Sequence, residues 1–393
     1  MLRFPTAWME KPRALIVTSS KMLGIARLPG LLSRGGYHVS LLAVRGLPIA
    51  FSRHIDRRLP GSADIEGLVL ALRGLLDRRP NYYQWIILGD EDILAETAKR
   101  REEGWLDGWF PVDVNSPAFD IVQSKAAFIR ACQGAGIAIP ESAIVASLGE
   151  ARAAAAKIGY PVLLKAPRGH AGSGVLRANS ENGLERIFPL LGDVGEITVQ
   201  KLVEGRATTA DILFDAGRLV CWYSSYCDQS YAREFGPSCV RSIMSHPQAE
   251  PCIVSVGRLL GFSGLCGIDW IEDAKTGSLM VLEFNPRPTP CYHLASLAGM
   301  DFPRAMRERL SGTPSAQKPT PVSGPRRAIY MFPQHLQSCF LRDDWADLAH
   351  WLPGREIHDI PWDEPALLAM ELFRLGYMAG GSILRHLTGR RNK

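Results

Sequence analysis

Glu283 and Asn285 stand two residues apart at the end of an apolar run, Leu279-Met280-Val281-Leu282. That run reads as a buried strand, and on a strand residues two apart leave the same face. A carboxylate and an amide oxygen aimed together suit a hard cation such as Mg²⁺, which takes one or two protein oxygens and fills its shell with phosphates. Pro286 stops the ladder. Arg287 follows at the strand mouth, where a guanidinium suits a phosphate oxygen. The plainer alternative is a strand end with a surface ion pair.

A second set lies upstream. Lys165 ends another apolar run, Val162-Leu163-Leu164, and the segment Arg168-Gly169-His170-Ala171-Gly172-Ser173-Gly174-Val175 follows. Glycines there permit close backbone approach and offer amide donors to a ligand, and a lysine before them is a point charge for phosphate. The spacing is not that of a GxxxxGK[ST] loop, and a hairpin tip with a surface lysine is the alternative. Residues 197–203, Ile-Thr-Val-Gln-Lys-Leu-Val, read as a strand ending at Glu204-Gly205. Such a strand can offer backbone donors and acceptors to an adenine edge, with Leu202 and Val203 over the ring and Glu204 at a ribose hydroxyl. An ordinary edge strand is the alternative.

The elements that must position these groups follow from periodicity. Residues 14–17, 37–44 and 85–88 read as strands, and 24–34 and 64–78 as helices, with Leu68, Leu72, Leu75 and Leu76 inward on the latter. Asp90 is placed to cap the helix that follows. This alternation predicts a parallel sheet covered by helices. Thr18-Ser19-Ser20 occupies the place of a Rossmann phosphate loop, but GxGxxG is missing, so a packing domain or one end of a substrate cleft is expected. Gly89-Asp90-Glu91-Asp92 reads chiefly as an acidic first helical turn, with ligand binding as the alternative. Residues 116–134 are expected to be helical, carrying Ser124-Lys125. Ser147-Leu148-Gly149-Glu150 is a capping box.

The chain has 393 residues, 46% hydrophobic and 22% charged, so a globular protein of roughly two to four domains is expected. A net charge of +5 and the absence of any nucleic-acid motif exclude nucleic acid as the expected partner. Eight scattered cysteines without a CxxC pair fit a reducing cytosol, with neither a disulfide framework nor a zinc site. No signal-peptide layout and no spanning apolar stretch is evident, so a cytoplasmic location is expected.

In this order, Lys125, Lys165 with its glycine loop, the hinge from Gln200 to Gly205, and Glu283-x-Asn285-Pro286-Arg287 resemble the motifs of the ATP-grasp superfamily. The resemblance covers about residues 119–312. It implies an N-terminal open parallel α/β domain (1–117) and a two-lobed ATP-grasp domain (118–312), with a small lobe at about 140–200 and a large lobe at about 201–312. A Pro-rich linker (313–325) and a C-terminal region (326–393) follow by composition. By resemblance, Lys125 and Lys165 contact phosphates together with Gly169, Gly172, Ser173 and Gly174. Gln200, Lys201, Leu202 and Val203 meet adenine and Glu204 the ribose. Asp269, Glu283 and Asn285 hold Mg²⁺, for which Mn²⁺ can substitute.

Asp269 has an argument of its own. Residues 265–272 and 278–284 flank the turn-rich Asp273-Ala274-Lys275-Thr276-Gly277 and read as a hairpin. A register with Asp269 opposite Glu283 puts three oxygen ligands on one face. Two departures stand out: Arg206-Ala207-Thr208-Thr209 lacks a glutamate common after the hinge, and Gln200 replaces a frequent glutamate, though its amide oxygen can accept from an adenine amino group. Asp211 is expected to orient a lysine. Arg241 is a candidate for the γ-phosphate or a substrate carboxylate, with Arg287 opposite; a surface role is its alternative.

The resemblance implies an ATP- and Mg²⁺-dependent ligase that activates a carboxylate as an acyl phosphate for attack by an amine. Its substrates would be small molecules, and oligomerisation is open. The rivals are a nucleotide-binding protein without ligase activity and, on weaker grounds, a nicotinamide dehydrogenase. Residues 366–388 read as a final amphipathic helix followed by Arg390, Arg391 and Lys393. Packing on its own protein or a partner subunit is preferred for it over a membrane surface.

Overall fold

The computed structural model describes residues 11–167, 172, 174–192, 195–231, 234–312, 327–351 and 357–388, with 381–388 as backbone only. The calls on Gly169 and Ser173, and on the side chains beyond residue 380, therefore lie outside the described residues. The protein is α/β. β1 (Arg13–Thr18) is followed by α1 (Leu23–Ala26) and α2 (Leu28–Arg34), then β2 (His38–Ala43), β3 (Arg57–Arg58), α3 (Ile65–Arg78), β4 (Trp85–Leu88) and α4 (Glu91–Ala98). The strands pair in parallel in the order β3-β2-β1-β4. Asp64 caps α3 by accepting from Gly67 N at 2.7 Å, and Asp90 caps α4 by accepting from Ile93 N at 3.1 Å. The single helix expected over 24–34 is two, broken at Arg27, because Pro29 brings no N–H to continue the first ladder.

The helical stretch expected over 116–134 is also divided, into α5 (Ala118–Ile121) and α6 (Lys125–Gly134). Ser124 adopts an extended conformation and caps α6 through Ala127 N, while Lys125 N donates to Pro167 O at 3.1 Å. This tie holds the start of α6 against Pro167. β5 (Ser142–Val145), α7 (Leu148–Ile158), β6 (Val162–Lys165), β7 (Val175–Ala178), α8 (Glu181–Ile187) and β8 (Ile197–Lys201) build an antiparallel sheet of order β5-β8-β6-β7. Its inner face, including Val162, Leu164, Ile197 and Val199, packs with α7 and α8 in a core of its own. The strand expected to reach Val203 ends at Lys201: Leu202 N turns away to Pro161 O at 3.2 Å.

β9 (Gly205–Asp215), β10 (Arg218–Ser230), β11 (Ser238–Met244), α9 (Glu250–Leu260), β12 (Gly264–Asp273), β13 (Leu279–Asn285), α10 (Phe302–Leu310), β14 (Ile329–Tyr330), α11 (Gln334–Arg342), β15 (Ile357–His358) and α12 (Pro365–Thr388) complete the chain. The large sheet runs β13-β12-β9-β10-β11-β14-β15. The strand foreseen over 328–332 is only β14, yet it carries the C-terminal segment onto this sheet's edge. One core spans the first sheet, one face of the large sheet and α12, including Ile16, Trp85, Tyr223, Tyr292, Phe302 and Leu367.

Candidate active site

The small sheet turns Leu163, Lys165, Thr198 and Gln200 away from its core, as alternation requires. Lys165 is buried and has no ion-pair partner within 4 Å among the described residues. Gln200 is buried too; its amide N–H donates to Ser142 Oγ at 2.9 Å, while its Oε1 has no partner, nor has Thr198 Oγ1. Lys201 and Glu204 are exposed, with Leu202 and Val203 half-buried between them. In the glycine loop Gly172 has φ of +73°, and a Cβ there would sit 1.7 Å from Phe235 O, so only glycine fits between the loop and the β10–β11 turn. Ala166 N donates to Gly174 O at 2.9 Å.

Across from this face, the large sheet aligns Glu283, Asp269, Thr209 and Ser225 as register partners on β13, β12, β9 and β10. The register expected for Asp269 and Glu283 is the one observed. Thr209 Oγ1 donates to Asp269 Oδ1 at 2.6 Å, and Asn285 Nδ2 donates to Asp269 Oδ2 at 3.0 Å. Lys125 Nζ lies 2.8 Å from Glu283 Oε2. Arg241 is not at the surface: it is 8% exposed on β11 and donates to Ser225 Oγ at 2.7 Å and Thr209 Oγ1 at 3.3 Å. It therefore reaches Asp269 through the threonine hydroxyl. Asp211 does not orient a lysine. It is buried on β9 and accepts from Thr289 Oγ1, because the loop after β13 folds back over it.

Electrostatics follow from this crowding. Burial raises the Asp269 carboxyl and neighbouring Glu283 raises it further, to about 6. Burial also pushes against the charge of Glu283, but Lys125 and Lys165 overcome it and bring the carboxyl down to about 2. Burial lowers Lys165 to about 8. For Lys125 burial is outweighed by Glu283, and its pKa is raised. Two carboxylates and an amide oxygen on one face are hard donors that fit Mg²⁺, and Lys125 supplies the counter-charge beside them.

The first sheet meets this site at the ends of its strands. Asp90 accepts from Thr18 Oγ1 (2.7 Å), Ser19 N (2.6 Å) and Ser19 Oγ (2.8 Å), so the loop after β1 is held by the cap of α4. The next residue, Glu91, lies 3.2 Å from Arg287 Nη2, and Arg287 also donates to Asn285 Oδ1 at 3.3 Å. Thr209 and Ser225 are not among the candidate site residues of the sequence, and Glu91 is there only as part of the acidic helix start 89–92, with no arginine partner. Their roles depend on which strands are neighbours, and only the spacing of Thr209 before Asp211 hinted at a shared strand.

A separate cluster joins His335, Cys339 and Asp347, whose ligand atoms lie within 4.8 Å of one another. Trp351 Nε1 donates to His335 Nδ1 at 2.9 Å, which leaves the ring proton on Nε2, 3.3 Å from Asp347 Oδ2. The same oxygen takes Gln229 at 2.9 Å and Arg342 at 3.0 Å. Its lone pairs are engaged, and the cluster is a hydrogen-bonded packing unit.

Both lobes, the cleft between them and the oxygen row define an ATP-grasp architecture. Residues 122–291 match the ATP-grasp domain family, so this part of the chain carries an ATP-grasp domain. It is similar to the acetyl-CoA carboxylase of Schizosaccharomyces pombe (26% identity over 191 residues, 46% of this chain and 8% of that protein). It is also similar to the carbamoyl phosphate synthase large chain of Kineococcus radiotolerans (26% over 238 residues, 58% of this chain and 21% of that protein). The chain thus spans less than a quarter of either relative. Among solved structures, N5-carboxyaminoimidazole synthetase from Staphylococcus aureus shares the fold with a TM-score of 0.61 at 15% identity, over 79% of this chain and 81% of that one. The biotin carboxylase domain of Hydrogenobacter thermophilus 2-oxoglutarate carboxylase, in complex with MgADP and bicarbonate, gives 0.61 at 17%, over 78% and 71%. Among the described residues, no helix is long and apolar enough to cross a membrane.

Proposed function

We propose that this protein is an ATP- and Mg²⁺-dependent ligase that activates a small carboxylic acid as an acyl phosphate and passes the acyl group to an amine. The observation that carries this reading is the convergence of Lys125 and Lys165 on the row formed by Glu283, Asp269 and Asn285. Magnesium held by those three oxygens would neutralise charge on the β- and γ-phosphates, and Mn²⁺, which accepts the same donors, can stand in. Gln200 Oε1, now without a partner, accepts from the adenine amino group. Leu202 and Val203 line the ring, and Glu204 reaches the ribose.

Lys165 meets the phosphates, and Lys125 leaves Glu283 to join it. Arg287 exchanges Glu91 for the transferring phosphoryl group. Arg241 positions Asp269 through Thr209. The substrate carboxylate oxygen bonds to the γ-phosphorus as the bridging P–O bond breaks and ADP leaves. The amine then forms the C–N bond, the C–O bond to phosphate breaks, and the amine proton passes to solvent. Catalysis is positioning and charge neutralisation, with the loop through Gly172 and Gly174 excluding water from the acyl phosphate. The likeness to a carboxylase domain holding bicarbonate supports including bicarbonate among the candidate acids.

ADP release screened against acids, with hydroxylamine as the nucleophile, tests this reading. The correct acid should yield a hydroxamate and ADP. AMP and pyrophosphate as products, or nucleotide binding with no acid-dependent turnover, would overturn it.

A further inference from the structure

α12 buries one stripe and leaves the other bare. Leu367, Glu371 and Leu375 are buried against the body, with Arg374 Nη1 donating to Glu371 Oε1 at 2.8 Å. On the outward side Leu372 is 53%, Phe373 81% and Tyr377 85% exposed, and Trp362 just upstream is 75% exposed. The other exposed positions from 366 to 380 are Ala366, Ala369, Gly376, Gly380 and Arg374. A solvated helix normally carries its charges on this side, and here the only charged residue is an arginine already bound to a buried glutamate. From Leu372 to Lys393 the sequence holds five basic residues, Arg374, Arg385, Arg390, Arg391 and Lys393, and no acidic one.

We propose that this face of α12 docks on an anionic lipid surface, lying on it without crossing. Exposed aromatic side chains sit well at the headgroup boundary, where an apolar body meets water. A run of basic residues free of acidic ones is attracted to anionic headgroups. No described helix has the length and apolarity to span a bilayer. Docking through α12 would place the ligase at a membrane surface.

The test uses the full-length protein with vesicles of phosphatidylcholine alone and of phosphatidylcholine mixed with phosphatidylglycerol in equal parts. The protein should sediment with the mixed vesicles at low salt, weakly with the neutral ones, and be released by high salt. Phe373→Glu combined with Tyr377→Glu alters only exposed side chains and should lower partitioning about tenfold or more, with thermal unfolding unchanged. Arg390→Glu combined with Arg391→Glu should abolish the preference for anionic vesicles. Three results would overturn the proposal: no sedimentation with mixed vesicles, binding that both double variants leave intact, or self-association removed by Phe373→Glu without vesicle binding.

Discussion

The two walls of the cleft satisfy their polar groups in opposite ways. On the small sheet, Gln200 Oε1 and Thr198 Oγ1 are buried without partners and Lys165 has no ion pair among the described residues. On the large sheet nearly every group is engaged: Thr209 and Asn285 hold Asp269, Lys125 holds Glu283, Arg241 holds Thr209, and Glu91 holds Arg287. An unpartnered buried polar atom costs free energy until something pairs with it. On the proposed function, a nucleotide would gain new bonds on one wall, whereas on the other metal and phosphate would have to replace partners already present. The proposed adenine side would then favour affinity, and the proposed metal side would keep its charges neutralised until the substrates arrive.

The largest effect should come from breaking the engaged wall at its charge. Glu283→Gln should reduce ATP turnover to background, with circular dichroism and unfolding temperature near those of the wild type; wild-type turnover at saturating Mg²⁺ would remove Glu283 from the metal site. Lys165→Ala, on the other wall, should weaken ATP binding by about 1.5–3 kcal/mol, the value of one charge-assisted contact, as read by calorimetry. Both walls should also show in the pH profile of kcat/KM. Asp269 loses its charge as pH falls through about 6, so Mg²⁺-dependent activity should decline there. Lys165 loses its charge as pH rises through about 8, so ATP capture by the free enzyme should decline above that.

The stability signs are separate from those of activity. Lys165 is depressed from its ordinary 10.5, so the cost of burying its charge is fully present below about 8 and is relieved as pH rises toward 10.5. Asp269 is raised from 3.8, so the cost of its ionised form is present above about 6 and is relieved as pH falls.

Smaller changes sharpen the contrast between walls. Thr209→Val strands a donor of Arg241 and an acceptor of Asp269, and should destabilise the free protein by about 1–3 kcal/mol. It should also raise the Mg²⁺ concentration needed for half-maximal turnover at neutral pH, because the hydroxyl helps hold Asp269 ionised. Gln200→Leu removes an amide whose oxygen is already unpartnered. It should leave the unfolding temperature nearly unchanged and weaken ATP binding by about 1 kcal/mol. A stability loss equal to that of Thr209→Val would erase the distinction between the walls.

Local signals carried much of this into view. Two-residue spacing put Glu283 and Asn285 on one face, and the turn at 273–277 marked the hairpin; the pairing of Asp269 with Glu283 is completed by a one-residue register shift between Asp269 and Trp270, without which Leu282 would stand opposite Asp269. The cap at Asp90 and the parallel first sheet follow from side-chain chemistry and apolar runs in the same way. What escaped was non-local. Helical periodicity through 116–134 gives no sign that Lys125 N is tied to Pro167 O, which breaks the stretch and aims Lys125 at Glu283. Arg241 reads equally as a surface residue until β11 is known to lie beside β10, with Ser225 in reach. Asp211 resembles a lysine partner until the loop after β13 brings Thr289 over it. Glu91 is an acidic helix start whose partner, Arg287, lies on another sheet's strand end.

The fate of isotopic oxygen in the acid's carboxylate tests the central claim most directly. Once the acid is identified, it is supplied with labelled carboxylate oxygens, ATP, Mg²⁺ and the amine, and the released products are weighed by mass spectrometry. ADP should be the nucleotide product, with one labelled oxygen in the phosphate, carried there when the acyl phosphate is cleaved. Phosphate without label, or label in AMP beside pyrophosphate, would contradict it.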